Sequence, residues 1–221
     1  MTFKSLIPRR LAALCNHAWF SVVCGAVWLA VIGTGMAVLW NYENVPGARM
    51  AVPADWPSAS RISRVPGEAT LVMFAHPRCP CTRASIGELE NLLAQSHGLV
   101  RATVIFYKPH GSPDEWAHTD LWKTAAAIPG VEVRADDDGI EAAQFGAATS
   151  GFVVLYDGAG HLGYSGGITA ARGHAGDSEG QEAIVAILNS QAPRLTAMPV
   201  FGCSFSDPGS KCVKGVAAWT Q

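Results

Sequence analysis

The 221-residue chain has no C-x-x-C pair, no internal repeat and no low-complexity tract. It therefore lacks the commonest cysteine spacing of dithiol redox sites. Charge is also scarce, at 15% Asp, Glu, Lys and Arg, and residues 18–40 contain none at all. Nor is there a surplus of positive charge. Lys+Arg total 16 against Asp+Glu 18, and three basic but no acidic residues precede position 41, leaving 13 against 18 beyond it. That balance argues against nucleic acid or anionic lipid as the main partner of the later part.

The uncharged stretch is long enough to matter. As a helix, residues 18–40 would span roughly 34 Å, enough for a hydrocarbon core of about 30 Å. Trp19, Trp40 and Tyr42 lie near its ends, where aromatic rings favour the membrane interface. Lys4, Arg9 and Arg10 precede it and Glu43 is the first charge after it, so the positive flank is inside. The stretch exceeds the 7–15 apolar residues typical of a cleaved signal and has no clear small-x-small site. The expected organisation is a cytoplasmic N-terminus (1–17), an anchor (18–40), a Pro- and Gly-containing linker (41–68), a domain (69–192) and a tail (193–221). The domain is expected to face the periplasm, from a single pass through the cytoplasmic (inner) membrane. Cys79, Cys81, Cys203 and Cys212 then all lie where disulfides persist.

From residue 69 the pattern becomes regular. Thr70–Phe74 is a short apolar run, as expected of a strand covered on both faces. Ile86, Leu89 and Leu93 recur at helical spacing, with Glu88, Glu90 and Asn91 assigned to the polar side. Arg101–Tyr107 reads as a second strand, completing a strand–helix–strand unit. Ser112-Pro113-Asp114-Glu115 predicts a helix start, with a capping hydroxyl, Pro at the first position and Glu three residues on. Residues 131–134 predict a short strand and 138–144 a short helix. Phe152–Tyr156 and His161–Ser165 flank a hairpin turn, and a last helix is expected over Glu179–Ser190. The order implies an α/β domain with a mixed sheet flanked by helices.

Cys79-Pro80-Cys81 is informative through its position. Cys79 falls between a buried strand and the first turn of a helix, where unpaired N–H groups and the helix dipole favour a thiolate. The thiolate is the attacking species in disulfide exchange. Arg78 and Arg83 would add favourable charge, as would His76 if protonated. A disulfide across Pro80 alone would be strained, so either Cys81 or Cys203 is a candidate to resolve an adduct on Cys79. Cys203 and Cys212 also enclose a turn-rich segment suited to a structural disulfide of their own.

The segment Val72–Leu89, containing His76-Pro77-Arg78-Cys79-Pro80-Cys81-Thr82-Arg83, resembles the active-site segment of thioredoxin-like proteins of the TlpA type. Together with Ser165–His174 and Pro199–Cys203 it is similar to the group called RedB-like proteins. The resemblance covers about residues 69–205. It implies a thioredoxin-like fold, Cys79 as nucleophile, Thr82 in the place of the family's second cysteine, and protein thiols or disulfides as partners, with no cofactor. Two departures stand out. Cys81 is one residue early, and near Ser150-Gly151, before the strand at 152–156, the family's proline is missing, so the resemblance leaves general reductase activity and the usual peptide groove open.

Arg172 and His174 follow a Gly166-Gly167 pair on a loop that the resemblance brings to the cysteine end of the sheet. There they would stabilise a thiolate or shuttle its proton. The alternative is a copper chaperone, with Cys79, Cys81 and His174 holding Cu(I), which soft sulfur ligands select.

Overall fold

The computed structural model describes residues 9–205. Its first unit is a helix, α1 (Arg9–Asn44), and within it Trp19–Asn44 is long and apolar enough to cross a membrane, with mean hydropathy 2.2. The second unit begins at Asn44 and contains all of the remaining structure.

The second unit is built on a six-stranded sheet in the order β3-β2-β1-β4-β5-β6. The strands are β1 (Ala69–Ala75), β2 (Val100–Lys108), β3 (Val131–Asp137), β4 (Phe152–Tyr156), β5 (Leu162–Gly166) and β6 (Ala197–Met198). β1, β2 and β3 are parallel neighbours, and β4 runs antiparallel to both β1 and β5. Helices α2 (Pro80–Gln95), α3 (Asp120–Ala127), α4 (Ile140–Gln144) and α5 (Glu179–Leu188) connect or cover them. This is the thioredoxin-like mixed sheet flanked by helices that the sequence implied.

Strand alternation divides the core in two. Leu71, Met73 and Ala75 point with Val104, Phe106, Val153 and Leu155 to one face, where Ile86, Leu89 and Leu92 of α2 and Ile184 of α5 cover them. Val72 and Phe74 point the other way, against Phe145, Phe152, Val154, Tyr156, Val200 and Phe205. Every residue of β1 from Thr70 onward is buried, which is why it reads as a continuous apolar run.

Two expectations change. The stretch 44–68 does not behave as a free linker but lies along the domain. Gly47 N–H donates to the Val200 carbonyl, Leu162 N–H to Ala54, and the Tyr156 hydroxyl to Pro53, at 2.8, 2.8 and 2.9 Å. Trp56 packs edge-on to Phe145 and Tyr156, with centroids 5.0 and 5.2 Å apart. Prolines there exclude helix and sheet but not packing, and Val52, Trp56 and Ile62 supply the apolar contacts. The second change is at 112–128. Asp114 pairs with Lys108 at 2.8 Å, and Asp114–Trp116 forms only a single 3-10 turn. The helix proper starts at Asp120, while the Thr119 hydroxyl is drawn to the Pro77 carbonyl at 3.1 Å.

Candidate functional site

β1 ends at Ala75 and α2 begins at Pro80, so His76–Cys79 forms the turn between them. Cys79 is the N-cap of α2, in extended conformation (φ −89°, ψ 117°), and Pro80 takes the first helical position, where its missing N–H costs nothing. Cys79 N–H donates to the His76 carbonyl and Thr82 N–H to the Cys79 carbonyl, both at 3.1 Å. Buried Ser150, just before β4, braces this turn. Its hydroxyl accepts from His76 N–H at 2.8 Å and shares a 2.6 Å hydrogen bond with the Thr82 hydroxyl.

The sulfur of Cys79 is wholly enclosed, the residue being 0% exposed. The Cys203 thiol hydrogen-bonds to it, as do the Cys81 thiol, the Cys203 backbone N–H and the Thr82 hydroxyl. These bonds, that of Cys203 foremost, outweigh the cost of burial and hold Cys79 far below the ordinary thiol range. Cys81 moves oppositely: donating to Cys79, being partly buried and facing the Cys79 charge keep it protonated, against the pull of Arg172 beside it. The two touching thiols are thus shifted in opposite directions, Cys79 toward its thiolate and Cys81 toward its protonated form.

Cys203 reaches the site on a strap, residues 200–205, that crosses the turn before β4. Ser150 N–H donates to the Cys203 carbonyl at 2.8 Å and Phe205 N–H to Ala148 at 3.1 Å. The Arg172 guanidinium donates to the Gly202 carbonyl at 2.5 Å and to Val45 at 3.2 Å. Only glycine fits at 202, because a Cβ there would lie 1.9 Å from the Ser150 carbonyl oxygen.

The predicted residues therefore separate. Cys79, Cys81, Thr82, Arg172 and Cys203 converge. His76 lines the turn, but burial disfavours its imidazolium, and its Nδ1 accepts from Arg78 N–H at 3.2 Å. It stacks on Tyr107 and meets the edge of Trp116, so it shapes the turn rather than supplying the positive charge expected of it. The Arg78 guanidinium sits over Trp116, 4.9 Å from the ring centroid, and Arg83 is paired with Asp120. His174 is exposed and acts on Glu88, not on the sulfurs. Among the described residues no three His, Cys, Asp or Glu side chains are placed to hold a metal ion. Cys212, and with it the expected Cys203–Cys212 bridge, lies outside the described residues.

Two functional features escaped the sequence reading. Ser150 was visible only as the place where the family's proline is missing. Glu88, assigned to a solvent face, is 4% exposed. Its carboxylate accepts from Gly176 N–H at 2.7 Å, Gln181 at 2.6 Å and Asn91 at 3.3 Å. Burial opposes its ionisation, but these bonds and the His174 charge prevail, holding it below the usual carboxylate range. Glu88 thereby ties α2 to the loop that carries Arg172. A polar residue every third or fourth position looks solvated unless its partners, here far along the chain, are known.

No family model matches the chain, and no curated protein matches it. Solved structures do. A hypothetical protein from Sinorhizobium meliloti 1021 superposes with TM-score 0.52 at 21% identity, over 72% of this chain and 93% of that one. An uncharacterised conserved protein from Geobacillus kaustophilus gives TM-score 0.53 at 19% identity, over 75% and 94%. A secreted Mycobacterium tuberculosis disulfide oxidoreductase, described as homologous to Escherichia coli DsbE, gives TM-score 0.40 at 16% identity, over 57% and 84%. The first two show that the arrangement of the domain is a recurring fold.

Proposed function

We propose that this chain is a membrane-anchored thiol–disulfide oxidoreductase of RedB-like type, whose domain faces the periplasm and whose nucleophile is Cys79. The observation that carries the reading is the environment of the Cys79 sulfur. It sits at the start of α2, inside the protein, with the Cys203 and Cys81 thiols donating to it. These contacts favour the thiolate of Cys79, and the thiolate is the species that attacks a disulfide. The three segments on which the RedB-like resemblance rests also meet here: Cys79 touches Cys203, and Arg172 joins Cys81 to Gly202. Apolar α1 supports the anchor, and the positive flank before it supports the orientation.

The test is equilibration of the full-length protein, in detergent, with reduced and oxidised glutathione. The reading expects a reversible two-electron transition that Cys79→Ala abolishes. A transition unchanged by that replacement would overturn it. A second reading, Cu(I) binding through Cys79, Cys81 and His174, has the two sulfurs in contact but requires His174 to leave Glu88 and reach them. It requires copper to be retained on purification and lost in His174→Ala.

A further inference from the structure

The two sulfur neighbours of Cys79 are held in different ways. Cys81 lies two residues along the same chain, across Pro80, whose ring fixes φ at the first helical position. The two thiols are in contact, but a disulfide has demanding geometry and only Pro80 separates the two residues. Closing Cys79–Cys81 would pull the N-cap out of the conformation that starts α2. Cys203 is free of that constraint. It arrives on a separate segment, with both its thiol and its backbone N–H directed at the Cys79 sulfur. The strap is anchored on either side of it, by Gly47 to the Val200 carbonyl, Arg172 to Gly202 and Phe205 to Ala148. Gly202 lets it approach Ser150 closely.

We propose that Cys203 is the resolving thiol of Cys79, delivered by the 200–205 strap, while Cys81, held by Arg172, stays reduced and positions the Cys79 sulfur. The proposal rests on the exchange reading above and names its second step. The strap covers Cys79, so it lifts for a substrate disulfide to enter. The Cys79 thiolate attacks one sulfur of that disulfide. A Cys79–substrate bond forms, the substrate S–S bond breaks, and the first substrate thiolate departs and takes up a proton. The strap returns, Cys203 loses its proton to solvent, and its thiolate attacks the Cys79 sulfur. The second substrate thiolate leaves and is protonated. Two electrons have passed from the Cys79–Cys203 dithiol to the substrate, and the reverse sequence oxidises a substrate dithiol.

The test is peptide mapping of the full-length protein after oxidation by glutathione disulfide and quenching with an alkylating agent. A Cys79–Cys203 linkage is expected in the parent protein, in Cys81→Ala and in Cys212→Ala. In Cys203→Ala the expected product is a glutathione adduct persisting on Cys79. Cys203→Ser, which keeps a hydrogen-bond donor, gives the same readout should the alanine variant fail to fold. A Cys79–Cys81 linkage in the parent overturns the proposal, as does a Cys203–Cys212 linkage with the adduct left on Cys79; both leave the exchange reading standing. Cys79 unmodified in every variant overturns the exchange reading and the proposal together.

Discussion

Ser150 and Cys203 are joined through their backbones, the Ser150 N–H donating to the Cys203 carbonyl at 2.8 Å, while the Ser150 side chain braces the turn before Cys79. One residue thus fixes both the nucleophile and the strap that covers it. Ser150→Ala leaves the His76 N–H without its acceptor and the Thr82 hydroxyl without its closest partner. An unsatisfied buried group costs about 1–3 kcal/mol. For a domain of this size that lowers Tm by about 2–4 °C per kcal/mol. Thermal unfolding of the variant checks it, and an unchanged Tm would contradict the bracing role.

Arg172→Ala removes the 2.5 Å bond to Gly202 and the positive charge beside Cys81. Losing a charge-assisted bond worth about 1.5 kcal/mol to the closed strap would raise the open population roughly tenfold. Alkylation of Cys79 should accelerate by a similar factor. An unchanged rate would mean that the strap is held elsewhere.

The pH dependence has a definite sign. Cys79 titrates well below an unfolded thiol, whose pKa is about 8.5, so between the two values the unfolded chain binds more protons and stability rises with pH. The contribution is complete above the ordinary thiol range and is lost as pH falls toward the folded value. Cys81, shifted upward, contributes stability below the ordinary thiol range and loses it as pH rises through its own folded value. The stability difference between the parent protein and Cys79→Ala should therefore widen from mildly acidic pH up to about pH 8.5. Denaturant unfolding at several pH values measures it, and a constant difference would contradict a native thiolate.

Glu88→Ala leaves Gly176 N–H and the Gln181 amide without their carboxylate partner inside the protein. Loss of hydrogen bonds to a buried charge is expected to cost about 3 kcal/mol, with faster hydrogen exchange over residues 172–178 as its local signature. Glu88→Gln, which retains an acceptor, should recover part of that loss. Equal destabilisation by both replacements would assign Glu88 a role independent of those bonds.

The strand–helix order, the hairpin and the place of Cys79 were legible because each depends on local pattern: an apolar run, helical spacing, a turn between alternating segments. The 44–68 stretch misled because its prolines report on regular structure and are silent about packing. Glu88 misled because its partners, Gly176 and Gln181, lie on another element. The helix start at Ser112 failed because Asp114 turned to Lys108 and Thr119 to Pro77, contacts across loops that a capping pattern does not contain. Cys203 was visible as a candidate, but only the strap's pairing with Ala148 and Ser150 brings it to Cys79.

The central claim is that Cys79 is the attacking thiolate, and it is most directly tested by competition among the cysteines. Reduced full-length Cys81→Ser/Cys203→Ser protein, which keeps a hydrogen-bond donor at both positions beside Cys79, is exposed to limiting glutathione disulfide near pH 6, and the adduct is located by mass spectrometry. The account predicts that Cys79 carries the adduct, and that replacing Cys79 as well abolishes reaction at this pH. Adducts on Cys24 or Cys212 with Cys79 untouched would contradict it.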